Sequence, residues 1–265
     1  MRFASFTIEG DVMSKKKSSR KKRDLDFLQE SLRRNGKAHD DGPKRKKWSK
    51  HDLKSIKPLT PAQTDLFHAF MNSDHVCAYG TAGTGKTYLA LYLALNEVVN
   101  PSTPQDRITI VRSVVPTRDV GFLPGDLSEK VAVYESPYRD ICADLIGRSS
   151  TYDDMKEQNV INFMPTSFIR GLTWDNTVVI VDECQNMTFH EINSIVTRCG
   201  DNTRIIFTGD TNQTDLRPTE CGMPTLLSVV DNIDSFAKVK FTTHDIVRSN
   251  LVKSWIVAAE QVAAA

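Results

Sequence analysis

The sequence predicts an α/β fold, one domain with a parallel central sheet flanked by helices, and three observations predict it. Short β-branched apolar runs alternate with stretches of helical periodicity. Gly, Pro, Asn and Asp punctuate the junctions between them. One strand-to-helix junction carries a glycine-rich loop of the kind that a βα turn presents at the carboxyl end of a parallel sheet.

The strands come first. Residues 76–79, 108–111, 178–181, 205–207 and 239–241 are short runs apolar on both faces, the signature of strands buried between layers. Between them, 86–99 is apolar almost all round and so reads as a helix packed in the interior. Residues 189–199 place Ile192, Ile195, Val196 and Cys199 on one helical face. A closing helix puts Leu251, Trp255, Ala258 and Ala259 on one face in the same way.

Composition bounds the reading. The 265 residues are 25% charged and 40% hydrophobic, ordinary for a folded domain. No apolar run approaches the roughly 18–20 residues of a membrane helix, and no apolar stretch follows the basic N-terminal region as in a signal peptide, so a cytoplasmic protein without membrane association is expected. The five cysteines are odd in number and far apart, which fits buried thiols better than disulfides or a zinc site.

Charge divides the chain. Residues 1–57 hold 18 Lys/Arg against 8 Asp/Glu, leaving 16 against 25 in residues 58–265. The head has too few large apolar residues to offset the entropy of folding and is expected to be mostly disordered, with one short helix near 24–35. Its clustered cations suit a phosphate backbone, though a solvated tail has the same composition. Trp48 is the lone candidate there for base stacking. Met13, just before the basic run, is an alternative start, which would leave 1–12 untranslated.

The chemistry begins at Gly80, Thr81, Ala82, Gly83, Thr84, Gly85, Lys86 and Thr87, which satisfy G-x-x-x-x-G-K-[ST] between a strand and a helix. Loop N–H groups and the helix N-terminus attract phosphate, Lys86 neutralises it, and the Thr87 hydroxyl suits Mg²⁺. Downstream, the apolar strand 178–181 ends in Asp182 and Glu183: the first is placed to hold Mg²⁺, the second to polarise an attacking water. The next strand, 205–207, runs into a Gly-Asp turn and Gln213, a candidate γ-phosphate sensor. Upstream, Gln63 has an amide able to read an adenine edge, while Thr60 and Pro61 beside it also read as a helix start. Arg248, before the closing helix, suits an arginine finger or sensor, or simply a helix start. Arg112, Arg118, the turn-rich 121–126 and residues 163–171 are expected after strands on the functional rim, with Arg112 and Arg170 as contacts to nucleic acid or a neighbouring subunit, or all of them as structural turn residues.

Taken together, the segments 59–63, 80–87, 121–130, 181–186, 208–216 and 245–248 resemble the PhoH-like family of P-loop ATPases, whose fold is similar to one RecA-like domain of superfamily 1 helicases. The resemblance covers about 58–250. It implies ATP bound at 80–87, Mg²⁺ and water served by Asp182 and Glu183, phosphate sensing by Gln213 and a late arginine at Arg248. Where the family has Arg-Pro, this chain has Arg112-Ser113-Val114-Val115-Pro116, and Cys184 replaces a common Ala. Some members carry a PIN-type ribonuclease domain, for which 1–57 is too short and basic. The compact layout looks like versions in tailed bacteriophages, which would place it in the host cytoplasm.

The resemblance implies an ATPase acting near RNA or single-stranded nucleic acid, helicase-like, with the head as anchor. One RecA-like domain has no partner domain to close against, so a homo-oligomer is expected, possible in ring form with Arg248 at a neighbour's ATP. The competing reading is a regulatory switch that binds ATP, hydrolyses it slowly and ignores polynucleotide. A small-molecule kinase is a third and weaker option.

Overall fold

The structure is a computed structural model that describes residues 48–114 and 127–263. Residues 1–47, with the basic clusters and the expected short helix, lie outside the described residues, as do Arg118 and 121–126.

Six strands form one sheet: β1 (His75–Gly80), β2 (Arg107–Arg112), β3 (Ile161–Pro165), β4 (Thr177–Asp182), β5 (Arg204–Gly209) and β6 (Phe236–Phe241). Their order is β3-β2-β4-β5-β1-β6, and every pairing is parallel. Among the described residues, seven α-helices accompany them: α1 (Pro61–Asn72), α2 (Lys86–Val98), α3 (Leu127–Ile146), α4 (Thr151–Glu157), α5 (Phe189–Val196), α6 (Met223–Val230) and α7 (Asn250–Ala263).

Strand alternation sorts the core into two layers. Val76, Ala78, Ile108, Ile110, Val178 and Ile180 face the layer built from α1 to α4, with Leu91, Leu95, Tyr138 and Tyr152 buried against them. Cys77, Val111, Val179, Val181 and Phe207 face the other, against Ile192 and Ile195 of α5 and Leu226 of α6. Of the cysteines, Cys77, Cys142 and Cys184 are buried, Cys199 and Cys221 half-buried, and all five are free.

Register places the functional ends in line. Arg112 pairs with Asp182, Val181 with Phe207, Tyr79 with Gly209 and Gly80 with Phe241. The strand carrying the phosphate loop and the strand ending in Asp182 are therefore separated by β5, whose tip rises between them.

Three features depart from the sequence reading. β3 is a sixth strand where 163–171 were read as rim turns; Asn162 and Pro165 interrupt its apolar run, yet all five residues are buried as it pairs along β2. The face of α7 carrying Leu251, Trp255, Ala258 and Ala259 points to solvent, with Leu251 78% and Trp255 74% exposed. That helix meets the body through its other side, where Ile256 reaches Gly83 and Glu260 accepts from Asn212. Packing also extends back to Trp48, buried under Arg148, and to Leu53 and Ile56, so the Trp48 ring serves the core and is not offered to a base. Among the described residues, no helix is long and apolar enough to cross a membrane.

Candidate nucleotide site

The loop after β1 is a βα turn whose last glycine, Gly85, precedes α2 and so leaves the first N–H groups of that helix open to a ligand. Several parts of the chain hold it. Thr81 N–H donates to the Phe241 carbonyl at 3.1 Å and Val247 N–H to the Gly83 carbonyl at 3.1 Å. Thr84 Oγ1 donates to the Thr81 carbonyl. Lys86 is buried; its Nζ donates to the carbonyls of Gly80 (2.9 Å) and Thr81 (2.6 Å). Burial pulls its ammonium below the ordinary lysine value, while Asp210, Glu183 and Asp182 oppose that fall.

An open cleft of about 510 Å³ lies over this loop, lined by residues 82–88 and by side chains from the other strand ends. Gly80 and Thr81 sit behind it, as the carbonyls that park Lys86. Across the cleft, Thr87 Oγ1 donates to Asp182 Oδ1 at 2.8 Å, so the hydroxyl and carboxylate expected to share a metal are already together. Asp182 is 2% exposed and further engaged: Oδ1 accepts from Thr208 at 2.5 Å and Oδ2 from Tyr138 at 2.7 Å.

Glu183, next along, adopts φ 54°, ψ 41°, a left-handed conformation that costs a non-glycine residue about 1–2 kcal/mol and turns its side chain into the cleft. Its carboxyl accepts from Gln185 Nε2 at 2.5 Å. Burial and the Asp182 charge push Glu183 above the usual carboxylate range; Gln185, Arg112 and Lys86 hold it back. Gln185 in turn accepts from Asp210 N–H at 2.9 Å, and its backbone carbonyl accepts from Thr214 Oγ1 at 2.9 Å. The carboxylate pair and the 210–214 turn are thus one hydrogen-bonded unit.

At the lip, Gln213 and Arg248 are exposed and both line the cleft. Arg248 lies over Gly83 of its own chain, at the lip of its own cleft. Arg112 also lines the cleft, beside Asp182 and Glu183 and 5.8 Å over the Tyr134 ring. Burial alone would lower its pKa; the neighbouring Tyr138, Asp182 and Glu183 outweigh that and raise it. Arg112 thus stands at the rim of the cleft, as its place at the end of β2 led one to expect, with its side chain beside the strand-end carboxylates; Arg170 is exposed.

Gln63 is buried and does not line the cleft. Its Oε1 accepts from Leu59 N–H at 2.8 Å and its Nε2 donates to the Thr84 carbonyl at 3.0 Å, so its amide braces the phosphate loop. Adenine reading would require one of those bonds to be released.

Sequence reasoning missed Tyr138, Thr208 and Gln185. Thr208 and Gln185 lie within segments already singled out, beside the residues they hold. Tyr138 carries no local signal, because only tertiary packing brings α3 over the strand ends.

Hard oxygen donors at this spacing suit Mg²⁺, which is commonly held by one or two protein groups together with substrate phosphates. Among the described residues, no group of three or more His, Cys, Asp or Glu side chains is placed to hold a metal unaided. Thr87 and Asp182 offer two such oxygen donors beside the phosphate loop, a set that would fit a cation carried by a nucleotide.

A parallel sheet, a glycine-rich loop closing on a buried lysine, and a strand-end carboxylate on the threonine of that loop define a P-loop nucleoside triphosphatase fold. The profile of the PhoH-like protein family matches residues 55–260. Similar relatives include a PhoH-like protein of Bacillus subtilis (strain 168), 35% identical over 210 residues that make up 78% of this chain and 65% of the relative. Protein PhoH of Escherichia coli (strain K12) is 34% identical over 203 residues, 76% of this chain and 57% of the relative. A PhoH-like protein of Synechocystis is 33% identical over 78% of this chain and 62% of its own length. The chain belongs to the PhoH-like family of P-loop ATPases, and it spans less than two thirds of the length of these relatives.

Proposed function

We propose that this chain binds ATP with Mg²⁺ and hydrolyses it, and that it works beside RNA or another single-stranded nucleic acid as a homo-oligomer. The observation that carries the hydrolytic part is the 2.8 Å contact between Thr87 and Asp182, with Glu183 beside it facing the same cleft. In this reading, the phosphates displace the Gly80 and Thr81 carbonyls as partners of Lys86, whose ammonium then neutralises β- and γ-phosphate charge. Thr87 and Asp182 hold Mg²⁺, which supplies charge neutralisation on the phosphates when bound. Glu183 accepts a proton from, and orients, the attacking water; its raised pKa brings it nearer to working pH. Gln213 and Arg248 report on the γ-phosphate from the lip. The nucleic-acid part rests on the basic head, whose cations would release counterions from a phosphate backbone.

A second reading has one observation in its favour. Glu183 is tied to Gln185 at 2.5 Å, a resting arrangement that suits a protein which binds nucleotide and turns it over slowly.

The test is steady-state ATP hydrolysis at low salt with and without single-stranded RNA or DNA, for wild type, Lys86→Ala, Glu183→Gln and a chain lacking 1–47. Turnover that needs Lys86 and Glu183, and a polynucleotide stimulation that needs the head and fades with salt, supports the proposal. Tight ATP binding with little turnover and no polynucleotide effect supports the switch.

A further inference from the structure

Asp182 is gripped from two sides, and the sides differ in origin. Its Oδ1 accepts from Thr87 and Thr208, both at the ends of elements that any phosphate-loop fold would bring there. Its Oδ2 accepts from the Tyr138 hydroxyl at 2.7 Å, and Tyr138 lies outside the motif segments, on α3, a covering helix whose Pro137 and Ile141 line the cleft.

The phenol is 1% exposed and its ring packs against Phe163, so as a core residue it has no need of its oxygen. Placed in an apolar layer without a partner, that hydroxyl would be a liability. Here it meets a carboxylate on one side and Arg112, within hydrogen-bonding reach, on the other. Arg112 lines the cleft, so the chain Arg112, Tyr138, Asp182 runs from the nucleotide space back to the carboxylate.

The helix that carries Tyr138 is fixed. Glu135, less than one turn earlier and 1% exposed, pairs with Lys156 of α4 and with Arg139, and Arg139 also reaches Asp153 of α4. Moving α3 would strand the buried Glu135 charge, which is a strong restraint.

We propose that Tyr138 is a positioning residue for Asp182: its hydroxyl fixes the carboxylate plane, so that Oδ1 stays turned to Thr87, the two groups that would hold Mg²⁺. The proposal rests on the reading that Thr87 and Asp182 hold Mg²⁺. Outer partners of ligating carboxylates affect metal affinity by roughly 10–100-fold when removed.

The experiment is a Mg²⁺ titration of the binding of a fluorescent ATP analogue by the full chain, comparing wild type, Tyr138→Phe and Asp182→Asn, with thermal unfolding of each. For Tyr138→Phe the Mg²⁺ concentration at half-maximal binding rises about tenfold or more, while binding in excess EDTA stays as in wild type. A merely structural tyrosine would lower the melting temperature and leave the Mg²⁺ midpoint alone, and that result overturns the proposal. A wild type indifferent to Mg²⁺, or an Asp182→Asn variant with an unchanged midpoint, overturns the underlying metal reading instead. Should Tyr138→Phe not fold, wild type still decides: adding Mg²⁺ to the ATP-loaded protein shifts a tyrosine absorption band, and no shift refutes a phenol coupled to the metal carboxylate.

Discussion

Replacing Gly80 by alanine tests how the phosphate loop is held. Gly80 has φ +118°, and a Cβ there would lie 2.0 Å from the Phe241 carbonyl oxygen, in the backbone of β6. That oxygen already accepts from Thr81 N–H. Relief requires β6 to move away from β1 by about an ångström, which overpacks or opens the edge of the sheet. The backbone conformation costs about 1–2 kcal/mol for an L-residue, the displaced packing about 1–3 and the lost hydrogen bond about 1. The expected destabilisation is therefore about 3–6 kcal/mol, against a total stability of about 5–15 kcal/mol for such a domain. Gly147→Ala is the control, because Gly147 has φ +80° with nothing within 4 Å of its Cβ position. Urea unfolding followed by far-UV circular dichroism measures both. If Gly80→Ala loses no more than Gly147→Ala, the close approach of β6 is not what restrains the loop.

Three further outcomes are expected. Arg248→Ala lowers ATP turnover by roughly 10–100-fold, the worth of one charge-assisted hydrogen bond, while binding of a fluorescent ATP analogue stays near wild type; equal turnover would remove Arg248 from the site. Thr188→Ala destabilises the protein by about 1 kcal/mol, since Thr188 and Glu191 form a reciprocal cap at the start of α5, and an unchanged urea midpoint would contradict it. Burial pushes the buried Asp245 up, but hydrogen bonds from Thr242, Thr60 and Ala62 outweigh it and hold its carboxyl below the usual range. A lowered folded pKa gives stability that is present above the unfolded value, about 3.9, and is lost as pH falls through the folded one. The urea midpoint of wild type should thus fall more steeply from pH 5 to pH 3 than that of Asp245→Asn, and parallel curves would refute the assignment.

Those parts of the fold with a repeating physical signal were legible in the sequence. Five strands showed as β-branched runs because a parallel strand is buried on both faces. The helix after Gly85 showed because the loop announces its start. β3 was hidden by Asn162 and Pro165, and α3 by Pro137 in its interior and by its mixed polarity. Helical periodicity found α7 and its apolar stripe but not that the stripe faces solvent, since a pattern gives a face without saying what the face meets. In the site, Lys86, Thr87, Asp182 and Glu183 converge as their motifs imply. The roles of Arg112, Tyr138 and Gln185 depend on the register between β2 and β4 and on the docking of α3, which no local pattern encodes.

The hold of β6 and the residues after it on the phosphate loop has a consequence in time. Residues 80–87 are synthesised early, but the carbonyl of Phe241 and the amide of Val247 that brace them come much later. At about 5–20 residues per second, roughly ten to thirty seconds separate the two on the ribosome. Through that interval the nascent chain carries a complete phosphate-loop sequence that lacks its brace, beside a β1 whose outer edge has no partner. A product truncated before residue 236 would thus keep the motif and most of the cleft lining but lack the brace from Phe241 and Val247.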